Sequence, residues 1–134
     1  MRVLVLTTEP VTAAQLRGAL PDGADPEDVE VMVIAPAIQK SFLRFWFSDA
    51  DNAIAKAEEV RRQTVEALGD SGVTATGDTG ESDPLQAIQD ALITFPADHI
   101  VVFRRPQGEQ GYREDVDERE IEERFGLPVA VATA

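Results

Sequence analysis

Cysteine is absent from this chain of 134 residues, and histidine occurs once, as His99. The first absence excludes disulfides, thiol catalysis and cysteine-ligated zinc, and it fits a reducing compartment. The second leaves His99 with no other imidazole or thiol to share a metal, so a structural role is expected for it. Long hydrophobic runs are missing as well. Val3-Leu4-Val5-Leu6 stops at Thr7-Thr8-Glu9-Pro10, far short of a signal h-region, and no stretch nears the roughly 20 apolar residues of a membrane span. A cytoplasmic protein is the expectation. Basic residues are scarce: 12 Lys and Arg stand against 25 Asp and Glu, for a net charge of −13. Such a field repels nucleic-acid backbones and anionic membranes, so neither is expected as a partner. No nucleophile and base can be paired from the sequence, and no catalytic residue is assigned.

Short apolar runs alternate with helical periodicities in the order β-α-β-α-β-α-β-α-β. Strands are expected at 2–7, 29–35, 72–78, 98–104 and 128–133. Residues 3–6, 31–35 and 100–103 are apolar without alternation, as strands covered on both faces must be. Val73-Thr74-Ala75-Thr76 alternates instead, which marks an edge strand with one wetter face.

The helices announce themselves at their starts. Thr12 followed by Gln15 fits a capping box, Ser48 followed by Asp51 approximates one, and Asp83-Pro84 sets an N-cap before an N1 proline. The longest helix, over 49–68, carries Ala50, Ala53, Ile54, Ala57, Val60, Thr64 and Leu68 on one stripe and is expected to stop at Gly69. The next buries Leu85, Ile88, Ala91, Leu92 and Phe95. The last, over 115–125, has only Val116, Ile121 and Phe125 with which to dock. One domain is expected at this length. It is a three-layer α/β/α sandwich around a five-stranded parallel sheet of order 3-2-1-4-5, Rossmann-like in kind.

In that order the switch point lies between the first and fourth strands, where ligands of open α/β sheets bind. Two loops meet there. The first, Thr7-Thr8-Glu9-Pro10, lacks the glycine of a phosphate loop and reads as an ordinary turn. The second, Arg104-Arg105-Pro106-Gln107-Gly108-Glu109-Gln110-Gly111-Tyr112-Arg113-Glu114-Asp115, sets a Gly-x-x-Gly turn beside arginines but surrounds it with carboxylates. It supports two readings: a phosphate site, and a solvated turn with internal ion pairs.

Gly80-Glu81-Ser82-Asp83-Pro84-Leu85-Gln86-Ala87-Ile88, followed by Ala97-Asp98-His99-Ile100-Val101-Val102, resembles the universal stress protein segment in which a Gly-x-Pro-x-x-x-Ile helix precedes an "ADxIVV" strand. The length and the C-terminal Pro-Val strand are similar too. The resemblance implies an adenine-nucleotide-alpha-hydrolase-like fold, often dimeric, with or without ATP, and a regulatory role in stress. It also implies where a nucleotide would be held: an aspartate after the first strand, then Gly, two residues, Gly, nine residues, Gly and Ser or Thr after the fourth. Here Thr7 and Thr8 stand at the aspartate's place. Gly108 and Gly111 keep the first glycine pair, and Ile121 and Glu122 replace the second half. The expectation is therefore a vestigial phosphate site at Thr7, Thr8, Arg104, Arg105, Gly108 and Gly111. No resident cofactor is expected, and ATP should bind at most weakly through Arg104 and Arg105.

Two further surfaces stand out. Phe42, Phe45, Trp46 and Phe47 crowd one short stretch beside Lys40 and Arg44, either as a lid buried over the sheet end or as an exposed patch for a protein partner. Trp46→Ala separates the two, costing stability in the first case and partner binding in the second. Leu127 to Ala134, with Val129 and Val131 at its centre, forms an uncharged edge strand. Such an edge invites pairing, and the family resemblance points to a homodimer formed through it.

Overall fold

The computed structural model describes residues 1–20, 25, 28–36, 49–80, 84–104 and 118–133. Nine elements follow one another: β1 (Arg2–Thr7), α1 (Ala13–Ala19), β2 (Glu30–Pro36), α2 (Asp49–Asp70), β3 (Thr74–Gly80), α3 (Pro84–Thr94), β4 (His99–Arg104), α4 (Glu118–Phe125) and β5 (Val129–Thr133). The strands form one sheet of order β3-β2-β1-β4-β5, and every pairing is parallel. The expected architecture is the observed one.

Parallel pairing commits both faces of the central strands to burial, and the alternation of side chains divides the core in two. Val3, Val5, Val31, Val33, Val101 and Phe103 face α1 and α2, where Leu16, Leu20 and Leu68 cover them. Leu4, Leu6, Ile34, Ile100 and Val102 face the other way, against Ala87, Ile88, Ala91 and Ile121 of α3 and α4. Each fully buried aliphatic side chain contributes about 1.5–3 kcal/mol relative to exposure. The continuous apolar runs of the sequence thus become a core on each side of the sheet. The outer strand β3 instead alternates exposed Thr74, Thr76 and Asp78 with half-buried Ala75, Gly77 and Thr79, as its polar sequence requires.

Local chemistry sets the helix ends. The Thr12 hydroxyl accepts the Gln15 amide at 3.2 Å, and the Gln15 side chain accepts the Thr12 amide at 2.9 Å, completing the expected capping box. α2 differs from expectation at its end: it continues through Gly69 to Asp70. The turn is closed by Gly72, whose φ of 85° is open to glycine at little steric cost. Val73 then donates back to the Leu68 carbonyl at 2.9 Å. Ala57, Val60, Thr64 and Leu68 are buried as the stripe predicts, whereas Ile54 is 46% exposed. Helical spacing put Ile54 on the stripe, but that part of α2 does not bury it. β3 begins two residues later than its composition suggests, since it runs in register with β2 from Glu30↔Thr74 to Pro36↔Gly80. The expected caps at Ser48 and Asp83, and Val116, lie outside the described residues.

At Gly77 of β3 the side chains of α2 lie directly over the strand backbone. A β-carbon built there would stand 2.8 Å from both Arg61 Cγ and Val65 Cγ2, and 3.2 Å from the Val33 carbonyl oxygen. The absent side chain is what lets the long helix settle on the sheet edge.

Candidate functional site

β1 lies between β2 and β4, and the last β1–β4 register pair is Thr7↔Phe103. Past that pair the chain leaves β1 for α1 on one face, while β4 leads to α4 on the other. The divergence marks the topological switch point, at the C-terminal end of the sheet.

Thr7 is fully buried at the end of β1. Its hydroxyl donates to the Glu9 carbonyl oxygen at 2.6 Å and accepts the Glu9 amide at 3.2 Å. A hydroxyl has one proton to give, so this side chain spends its donor on folding the turn Thr7-Thr8-Glu9. Thr8 is half-buried within that turn. Glu9 reaches across to α2, where Lys56 Nζ donates to its Oε1 at 3.0 Å. Both members of the pair are partly exposed. Further along, the buried Val11 amide donates to the hydroxyl of Thr64, itself fully buried in α2. The capping box at Thr12 then starts α1. The whole connection from β1 to α1 is therefore fastened, twice to α2 and twice to itself.

Of the other expected site residues, Arg104 ends β4, in register with Thr133 of β5. Arg105, Gly108 and Gly111 lie outside the described residues, as do Phe42, Phe45, Trp46 and Phe47. Val129 is buried and Val131 partly buried on the α3 and α4 side. They pack into the chain's own core, so pairing through β5 would use its backbone edge. Among the described pairings β5 has one neighbour, β4.

His99 opens β4 and lines a cleft of about 380 Å³ with Ala19, Leu20, Val101, Pro128 and Ala130. This cleft sits at the N-terminal end of β4 and β5, away from the switch point. Among the described residues no group of three or more His, Asp or Glu side chains converges as a metal site. Among them, too, no helix is long and apolar enough to cross a membrane.

Reading the sequence alone identified Thr7 and Thr8 by position but missed Glu9, Lys56 and Thr64 as parts of the same construction. Glu9 was visible in the loop. Its link to Lys56, 47 residues away, had no local signal, because the two meet only once α2 packs against the sheet.

Among solved structures, a universal stress protein from Archaeoglobus fulgidus is similar to this chain with a TM-score of 0.60 and 18% identity. The match covers 98% of this chain and 93% of that one. It shows a shared adenine-nucleotide-alpha-hydrolase-like, Rossmann-type fold. No family model matches the chain, and no curated protein matches it.

Proposed function

We propose that this chain is a universal-stress-protein-like regulatory or interaction domain of a stress response, without catalysis of its own, in which the nucleotide site is degenerate. The observation that carries the reading is the state of Thr7. It stands where the resemblance implies an aspartate, it is fully buried, and its hydroxyl is engaged as donor and acceptor within its own turn. An aspartate would offer acceptor oxygens to a ligand; this threonine offers the ligand no donor unless the turn opens. The adjacent Glu9 brings a carboxylate to the same loop, and the chain as a whole carries a net charge of −13, both unfavourable to a triphosphate.

In this reading the protein is a cytoplasmic homodimer joined at β5, and its output is contact with a partner protein rather than turnover. A second reading, an adenine-nucleotide-binding sensor, draws support from the Gly108-x-x-Gly111 spacing after β4. The two part at purification. The degenerate site predicts no nucleotide released on denaturing the purified protein, and stoichiometric ATP would establish the sensor.

A further inference from the structure

The cleft beside His99 lies at the end of the sheet opposite the switch point, and its walls come from three elements. α1 supplies Ala19 and Leu20, β4 supplies His99 and Val101, and β5 with the turn before it supplies Ala130 and Pro128. Strand alternation puts His99 on the same face as Val101, and Val101 is in register with Ala130. Two of the side chains around the space are small: Ala19 and Ala130 end in a methyl group and stay partly exposed although they pack against the core. A volume of about 380 Å³ falls within the ~300–1,000 Å³ of ligand sites and well above the ~150 Å³ that holds a benzene ring.

The polar character of the cleft is confined to one side chain. No lining residue carries a carboxylate, an ammonium or a guanidinium, and the Pro128 carbonyl oxygen already accepts the Ile100 amide at 3.0 Å. The His99 ring is half-buried, and among the described residues it has no hydrogen-bond or ion-pair partner. A neutral imidazole offers one N–H donor and one acceptor nitrogen. An ammonium or a carboxylate entering the cleft would leave water with no side chain of fixed opposite charge to receive it, and the net charge of −13 disfavours an anion further. We propose that this cleft is a binding site for an uncharged small molecule with an aromatic or alicyclic body and a single hydroxyl or amide group, which the His99 imidazole hydrogen-bonds. The body rests on Leu20, Val101 and the methyl groups of Ala19 and Ala130. The site is separate from the switch point and does not depend on whether a nucleotide binds there.

The test is an NMR titration of the full chain with cinnamyl alcohol, a phenyl ring carrying one hydroxyl on a short chain. His99 is the only histidine, so its ring protons are a unique reporter, and the backbone amides of Leu20 and Ala130 report beside it. Saturable shifts at all three, with a Kd below about 1 mM, are expected. Ala130→Leu, which fills the cleft, should weaken binding about tenfold or more by denying the ring its burial. His99→Phe, read on the Leu20 and Ala130 amides, should weaken it about threefold to tenfold, the worth of one neutral hydrogen bond. Cinnamate and cinnamylamine, the same skeleton with a charge of either sign, should bind about tenfold or more weakly than the alcohol. Melting curves verify that each variant is folded, and Ala19→Leu takes the place of Ala130→Leu if that variant does not fold. The absence of a saturable shift in the wild type would overturn the proposal. So would unchanged affinity in the filled variant or in His99→Phe, or either charged analogue binding as tightly as the alcohol.

Discussion

The backbone amide of Val11 donates to the side-chain oxygen of Thr64 at 3.2 Å, in a buried contact between residues 53 apart in the chain. It joins the loop after β1 to the middle of α2, where both Val11 and Thr64 are almost wholly enclosed. A loop amide in that position has no water to turn to, so the helix supplies its acceptor. The consequence is a switch-point loop whose geometry is set by α2 as much as by β1.

Thr64→Val keeps the shape of the side chain and deletes the acceptor. The orphaned Val11 amide should cost about 1–3 kcal/mol, read as a lower urea midpoint at unchanged slope. Thr64→Ser retains the oxygen and should lose less. Equal losses in the two variants would mean that the methyl group matters and the hydrogen bond does not.

Two glycines of the α2–β3 hairpin should respond in opposite directions to alanine. At Gly77 the new β-carbon meets Arg61, Val65 and the Val33 carbonyl, so Gly77→Ala should destabilise by about 1–3 kcal/mol through overpacking. Gly69 lies inside α2 with nothing within 4 Å of the added atom. Gly69→Ala should therefore stabilise by about 0.5–1 kcal/mol, because alanine has less backbone freedom to lose in a helix. Thermal melting of the two variants side by side checks both signs.

The same pair of glycines shows where the sequence was legible and where it was not. Gly69 looked like a helix stop because glycine after a periodic stripe commonly caps one. The cost of one helical glycine is only about 1 kcal/mol, and α2, anchored by buried Leu68, runs on to Asp70 before Gly72 closes the turn. Strand order and the buried centres of β1, β2 and β4 were readable because doubly covered parallel strands leave continuous apolar runs. Thr12 and Gln15 were readable because a capping box is local. Thr64 was read correctly as buried, but its bond to Val11 was not visible. Neither was the meeting of Glu9 with Lys56, since no short-range pattern encodes a contact that only the packed helix creates.

The homodimer expectation concerns β5, an uncharged outer strand paired with β4 alone among the described residues. Main-chain pairing across a two-fold axis would protect that edge. Sedimentation at protein concentrations on the order of tens of micromolar, a usual range for specific association, should show a dimer. A monomer throughout that range would refute the pairing.

The central claim is that the switch point retains the outline of a nucleotide site without its function, and calorimetric titration of ATP with Mg²⁺ at physiological salt tests it most directly. The wild-type chain should show no saturable binding tighter than about 1 mM, and Gly108→Val should leave the trace unchanged. Micromolar affinity in the wild type that disappears in Gly108→Val would contradict the account and establish a nucleotide sensor.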